Sequence, residues 1–520
     1  MSLPYMPEAD DMGIESRTLR AVFWATIMTG TSLRLYGITL PLTESHQLRQ
    51  AQTAMMARNL FYDGMNIFCT RLDFIGSGKN CVIMEFPLMH ALSALLYYVF
   101  GPYEIIGRLI SVAFSIGAMV MMHRLARQFL SPETALWSLA LYAFSPMNIF
   151  FSRAFMPESS MMFFGIAAIH FSLRWLDTRA HVVYLAGIVC AAIALLVKPT
   201  SGVILAPILA AWFDRQRWSM LRRFDFWLYM GLTVIPIASW ALYAYHINGL
   251  NPDLPPAFAG WLEIVFERGG IIAHWFDAQF YRFLAVSLVL VLLTPIGFVA
   301  MIAGALLIPP GKPQRVLLVW LAAVVAYFFV LSGANSGHLY YQLHLLPVAA
   351  IVSAYAAERL QSERNLLHRF SHGNWRTASL AVLFLTAVGY GIGYFWFFRY
   401  MYDASLRMPY TLEVSRIIRE RFPSRPVVIT NEPGVATPTV FSYYAEANAR
   451  RFRVYSDQQA IADLERLRGL GAIAYVALDT RYGNGVNETR RYQGFWRYLN
   501  ARYSPIAATE HYLIYDLRGD

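Results

Sequence analysis

Long apolar runs, broken by short arginine-rich stretches, set the pattern of this chain. A helix needs roughly 20 mostly apolar residues to cross a bilayer. Runs of that kind lie near 18–38, 104–129, 132–151, 155–175, 181–197, 199–214, 224–246, 283–308, 315–333, 343–360 and 376–398. They predict an α-helical polytopic membrane domain over residues 1–398, with about eleven transmembrane helices. The fifth and sixth runs are parted only by Lys198 and Pro199, which predicts a tight helical hairpin.

Between the first and second runs lies a long polar loop, 39–103. Two pieces of it are apolar but too short or too amphipathic to cross. Residues 47–62 place Leu48, Ala51, Met55 and Leu60 near one face, and residues 87–100 read PLMHALSALLYYVF. Both predict helices lying in the membrane interface. After residue 399 the pattern changes. The runs RPVVIT (425–430), AIAYVAL (472–478) and YLIYDL (512–517) are short and rich in β-branched and aromatic residues, and 458–470 has helical spacing. A small α/β domain over 399–520 is predicted. It carries no Gly-rich phosphate loop and no Cys/His metal spacing, so its expected role is accessory or acceptor-contacting.

Composition agrees with a membrane protein. Of 520 residues, 57% are hydrophobic and 15% charged, where a soluble domain carries roughly a quarter charged. The net charge of +10 does not point to nucleic acid, because the arginines sit between apolar runs as topology determinants. One set of connections holds Arg17 and Arg20; His123, Arg124 and Arg127; Arg174 and Arg179; Arg215, Arg217, Arg222 and Arg223; Lys312 and Arg315; and Arg359, Arg364, Arg369 and Arg376. The opposite set is poorer in Lys and Arg. The N-terminus is therefore expected in the cytoplasm, and an odd span count puts 399–520 outside, in a multi-pass inner (plasma) membrane protein. The first sixteen residues, with Asp10, Asp11 and Glu15, lack the basic start and apolar core of a cleavable signal.

The polar signatures cluster on the connections expected outside: ESHQLRQ (44–50), EFP (85–87), SRAFMPE (152–158), KP (198–199) and GHLYYQLH (337–344). Ionisable groups at span ends are functional candidates, because burying them unpaired is costly. Acids (Glu44, Glu85, Glu158) and bases (Arg49, Arg153, Lys198) occur together, which suits activation of a nucleophile and neutralisation of a phosphate leaving group. Gln50 and Gln342 are supporting polar groups. Structural roles are open to the same residues: Arg153 and Glu158 as a helix-end pair, Lys198 snorkelling beside a helix-breaking proline, His338 with Tyr340 and Tyr341 as an interfacial belt, and His46 as a surface histidine. Cys69 and Cys81 lie in the outer loop, an oxidising space if the cell has a periplasm. A disulfide between them is expected, the alternative being two buried thiols; Cys190 lies within a run and is expected unpaired.

The order of these elements resembles the GT-C membrane glycosyltransferases, in particular the family of the protein O-mannosyltransferases and the bacterial lipid A aminoarabinose transferases. The likeness rests on the first span, the acidic loop with two interfacial helices, the segment Glu85-Phe86-Pro87-Leu88, the run to Phe100–Gly101, Glu104 to Arg108 opening the next span, and the motifs at 152–158, 198–199 and 337–344. It covers roughly residues 18–400. Many members carry an Asp-Glu pair where this chain has Glu44-Ser45-His46, and Lys-Pro-Pro where it has Glu85-Phe86-Pro87. Lys198 and Arg153 are then the substitutes for the missing lysine.

What the resemblance implies is a sugar donor on a polyprenyl phosphate, such as undecaprenyl phosphate, and an inverting single displacement on the outer face. Glu44 or Glu85, with His46 nearby, would deprotonate the acceptor hydroxyl. Arg49, Arg153, Lys198 and His338, with Tyr340, would hold the lipid phosphate. Some relatives use a divalent metal; for Mg or Mn the candidate ligands are Glu44, His46 and Glu158. The acceptor, whether lipid, glycan or protein, is left open.

Two other classes compete. A transporter or flippase for a lipid-linked sugar moves substrate without forming a bond, but transporters carry internal repeats and span-centre breaks, and no repeat is visible here. A scaffold acting through 399–520 would leave the one-sided clustering of acids and bases unexplained.

Overall fold

Every apolar run up to residue 360 is helical in the structure, a computed structural model that describes residues 17–74, 80–251, 254, 274–309, 314–362, 393, 396, 399–403, 410–422, 425–431, 437–480 and 483–518. The run 376–398 lies outside the described residues, apart from 393 and 396. Two compact units form. One comprises Met1–Ile38, Arg108–Tyr243 and Gly260–Phe398; the other comprises Thr39–Gly107, Ala244–Ala259 and Arg399–Asp520.

In the first unit, prolines set where helices stop and start. The run near 132–151 divides into Pro132–Ala143 and Pro146–Phe151, each with proline in its first turn, where the missing N–H costs nothing. Ser131 caps the first of these by accepting from Thr134 N. The next helices are Glu158–Thr178 and His181–Val197, followed after Lys198 by a 3-10 turn, Pro199–Ile204, and the helix Leu205–Gln216. Among the described residues, Glu104–Ala126, Phe224–Gly249 and Leu339–Arg359 are long and apolar enough to cross a membrane singly. The pair Ala278–Leu292 and Thr294–Leu307 does so if taken as one span bent by 100°. At that bend Thr294 has φ 63° and Pro295 follows. Exposed apolar side chains such as Val182, Leu242, Val299 and Leu306 suit lipid rather than water as solvent. The helices Thr294–Leu307 and Leu345–Ser362 approach so closely that a Cβ on Gly304 would clash with the Val352 carbonyl oxygen.

Three arginines are fully buried in this unit. Arg34 donates to Ser115 Oγ and to the Gly30 and Ala143 carbonyls. Arg108 donates to the Gly37 and Ile38 carbonyls, and Arg153 to Gly37 as well. The carbonyls beyond the C-terminus of the helix Arg17–Leu35 thus receive two guanidinium groups, which is where partial negative charge accumulates.

The second unit joins the first loop to the C-terminal segment. Its strands are β1 (Val427–Asn431), β2 (Asn448–Phe452), β3 (Ala472–Thr480), β4 (Gly483–Asn484), β5 (Ser504–Ala508) and β6 (Tyr512–Asp516). The sheet order is β2-β1-β3-β6-β5, with β4 on β3. β2, β1 and β3 run parallel; β6 and β5 are antiparallel additions. Helices Thr411–Arg421 and Thr437–Ala445 cover one face, burying Val414, Ile418 and Phe441. Asp457–Gly469 and Gln493–Arg502 cover the other with Leu464, Phe495 and Leu499.

The loop helix Gln47–Tyr62 packs into this unit. Tyr444 OH receives the Leu42 N–H, and Arg58 donates to the Tyr443 carbonyl and lies over its ring. Gln50, Gln52, Arg58 and Asn59 are buried along with the apolar positions. This differs from the surface-lying helix expected: Gln50, Arg58 and Asn59 find partners within the protein, and buried residues stand on every face, so the helix is a core element. The helix Leu88–Phe100 keeps an exposed apolar face at Leu95, Val99 and Phe100, as an interfacial helix would. Cys69 and Cys81 form a disulfide, with Cα atoms 4.8 Å apart, and Cys190 is a free thiol.

Candidate active site

The expected site residues fall into two groups, one in each unit. In the first unit Glu158 opens the helix Glu158–Thr178 directly after Pro157. Lys198 ends the helix His181–Val197, because Pro199 cannot continue it. These two ends bring Lys198 Nζ onto Glu158 Oε1 in a bonded ion pair. Both side chains are almost wholly buried, at 4% and 1% exposed. Glu158 Oε2 is buried without a hydrogen-bond partner. The same ammonium sits 4.3 Å from the centre of the Tyr340 ring and 4.9 Å from that of Tyr341.

The rings come from the segment GHLYYQLH, which forms a 3-10 turn over Leu339–His344. His338 stacks on Tyr340 at 5.4 Å and 21°, and is itself exposed. Phe151 packs edge-on against Tyr340. Tyr327 OH donates to the Tyr341 carbonyl, and His344 Nε2 lies 3.1 Å from Thr200 Oγ1. Lys198, Glu158, Tyr340 and His338 are therefore brought together. Gln342 is fully buried and turns instead to the Asn335 carbonyl. Arg153 is not Glu158's partner: it bonds the Gly37 carbonyl and lies over Phe150.

In the second unit Glu44 is fully buried, and the next residue donates its N–H to the Met401 carbonyl. His46 takes φ 55° to start the helix Gln47–Tyr62, and its carbonyl accepts from Arg49 N and Gln50 N. Gln50 Nε2 ties the turn by donating to the Ser45 carbonyl. Arg49, on the first turn, reaches Glu85 Oε1 at 2.6 Å. His90, absent from the sequence reading, joins this pair. Burial above all, with the Arg49 charge adding to it, pushes its imidazole down to about 4, against the opposing pull of Glu85. A lone histidine in the otherwise apolar stretch PLMHALSALLYYVF was the available signal.

Of the metal candidates, Glu158 is held by the Lys198 ammonium group. Among the described residues no three His, Cys, Asp or Glu side chains gather as a metal site.

Chemically, the first group is a buried cation in an aromatic box, with a carboxylate on one side. A buried ion pair stabilises little and costs desolvation, so its retention suits binding of an anion. The second group comprises a buried carboxylate, Glu44, and an arginine–carboxylate pair, Arg49 with Glu85.

Residues 85–243 match the family model of the dolichyl-phosphate-mannose-protein mannosyltransferases, a stretch that includes Glu85, Glu158 and Lys198. Among solved structures, ArnT from Cupriavidus metallidurans bound to undecaprenyl phosphate superposes with a TM-score of 0.61 at 14% identity, covering 96% of this chain and 98% of that one. The Archaeoglobus fulgidus oligosaccharyltransferase in its apo form gives 0.57 at 12% identity, over 89% of this chain and 70% of that one. AglB of the same organism, in complex with an inhibitory peptide and a dolichol-phosphate, gives 0.56 at 12% identity, over 96% and 74%. By sequence no curated protein matches. The chain thus carries the GT-C fold of membrane glycosyltransferases over nearly its whole length, and its likeness is to the protein O-mannosyltransferase and lipid A aminoarabinose transferase family.

Proposed function

We propose that this protein is a glycosyltransferase that takes a sugar from a polyprenyl-phosphate-linked donor and passes it to an envelope acceptor on the outer face of the membrane. The observation that carries the reading is Lys198: a buried ammonium between Glu158 and the Tyr340 and Tyr341 rings. Its position between two helix ends suits a lipid phosphate at the membrane surface. The fold shared with ArnT, which binds undecaprenyl phosphate, supports the same donor class.

In this reading the chain crosses the membrane about eleven times, with the N-terminus cytoplasmic and 399–520 outside. An acceptor hydroxyl attacks the anomeric carbon as the bond from that carbon to the phosphate oxygen breaks. The electron pair leaves with the polyprenyl phosphate, and the configuration inverts. Lys198 stabilises the charge gathering on the phosphate, with His338 and Tyr340 beside it. Glu44 takes the acceptor proton. Glu85 ranks second, because it is already committed to Arg49. Arg153 supports the end of the first helix.

Glu44→Gln keeps the shape of the side chain and removes the proton acceptor. Purified variant should turn over at least about 100-fold more slowly while binding polyprenyl phosphate as the wild type does. Near wild-type turnover would take the base role from Glu44.

A further inference from the structure

A second polar site lies at the C-terminal end of the helix Gln47–Tyr62, within the unit that holds the sheet. Asn59, Asp63, Gly64, Asn66, Cys69 and Arg71 line a cavity of about 60 Å³. Asp63, Gly64 and Asn66 are exposed, so it opens to the surface. Gly64 turns the chain with φ 87°, and nothing lies within 4 Å of where its Cβ would stand. The disulfide from Cys69 to Cys81 ties down the far wall.

The charge in this cavity is unbalanced. Arg71 Nη1 donates to Asp63 Oδ2 at 3.3 Å, and Arg425 Nη1 lies 3.7 Å from Asp63 Oδ1. One carboxylate therefore faces two guanidinium groups. Arg58 and Asp73 neutralise each other separately at 2.8 Å and do not redress the excess. Arg71 Nε is buried without a hydrogen-bond partner. Arg425 Nη2 donates to Asn59 Oδ1 at 3.4 Å, and its guanidinium lies 5.2 Å from the centre of the Tyr62 ring. Tyr62 and Phe68 are large and exposed beside this group. Half-exposed ion pairs stabilise a fold by little, so folding alone gives no account of the cluster.

We infer that this cavity binds the anionic group of a glycan, a sugar phosphate or a uronate. Guanidinium forks match phosphate and carboxylate oxygens; the exposed amide of Asn66 matches a sugar hydroxyl, Asn59 being buried and held by Asp73, the Arg71 carbonyl and Arg425; the exposed rings offer apolar surface to a pyranose. Calling that glycan the acceptor rests on the transferase reading above; the binding does not.

The test uses the full-length protein in detergent, without lipid donor. Calorimetry compares glucose 6-phosphate, glucuronate, glucose and inorganic phosphate. One or both anionic sugars should bind at least about ten-fold more tightly than glucose, since a charge-assisted contact is worth about that factor, and more tightly than inorganic phosphate, which lacks the contacts of the sugar ring. Arg71→Ala and Arg425→Ala should each weaken binding about ten-fold. Asp63→Asn should tighten it, because the two guanidinium groups lose their competing carboxylate. A merely structural cluster would lower the melting temperature in all three variants and bind neither anionic sugar. That result would overturn the inference, as would binding that survives the Arg71→Ala/Arg425→Ala double variant, or an equal response to inorganic phosphate. Lys198→Met should leave this binding unchanged. Binding that persists in protein without transferase activity would remove the transferase reading and leave the site standing.

Discussion

The Lys198–Glu158 pair allows a structural and a functional role to be separated by a double-mutant cycle. Lys198→Met keeps the volume and removes the charge, leaving the carboxylate of Glu158, 1% exposed, without its cation. Breaking a buried pair from one side costs about 3–5 kcal/mol, and loss of the contacts to the Tyr340 and Tyr341 rings adds about 0.5–2 kcal/mol. Glu158→Gln strands the ammonium in the same way. The double variant removes both charges, and neutral replacement of a buried pair costs little; its melting temperature should return close to wild type. Turnover should behave otherwise. If Lys198 holds the donor phosphate, the double variant lacks a charge-assisted contact of about 1.5–3 kcal/mol, and donor affinity stays about 10- to 150-fold low in a well-folded protein. The assays are thermal unfolding in detergent and sugar release from a polyprenyl-phosphate donor. Recovery of both stability and turnover in the double variant would refute the phosphate role and leave a structural ion pair.

Three further outcomes follow from the geometry. His90 is neutral in the fold, with its pKa lowered from 6.5 to about 4; above pH 6.5 it is neutral folded or unfolded, and between 6.5 and 4 the unfolded chain binds a proton that the folded one does not. Stability should therefore fall by about 1.4 kcal/mol per pH unit across that window, about 3 kcal/mol in all, and His90→Gln should flatten this slope in calorimetry. Cys69→Ser with Cys81→Ser should cost about 3 kcal/mol, from a loop closed at a sequence separation of 12, read as a lower melting temperature of the oxidised wild type's counterpart. A cysteine at Asn487 should react with an impermeant maleimide added outside intact cells; labelling only after lysis would invert the topology.

The helices of the first unit were legible as long apolar runs, three of them long and apolar enough to cross a membrane singly among the described residues, and β1, β3 and β6 were legible because their runs are apolar on both faces. β2 was not legible: Ala449 and Phe452 are buried, but Arg450 and Arg451 between them hid the strand. The helix Gln47–Tyr62 was found but misplaced: Arg58 read as part of a wet face, yet one of its partners, the Tyr443 carbonyl, lies 385 positions later. Lys198 and Glu158 were each picked out as polar groups at run ends. Their pairing depends on which helix ends meet, and that information is not local. The same holds for Arg153, whose partner, the Gly37 carbonyl, is a backbone atom with no signature in sequence.

The bond from Leu42 N to Tyr444 OH spans 402 residues. Everything between must be synthesised, and the membrane helices inserted, before the first loop meets the strands and helices it packs against. At roughly 5–20 residues per second the wait is about 20–80 s, during which Arg58 lacks the Tyr443 carbonyl and Ser45, next to Glu44, lacks the Met401 carbonyl. A chain that stops near residue 399 would carry the catalytic candidates of the loop in an unfinished state, however well its membrane helices had inserted. The folding of the loop is thereby deferred until Tyr444 has been made, and a stop before that residue should leave the loop exposed to proteolysis.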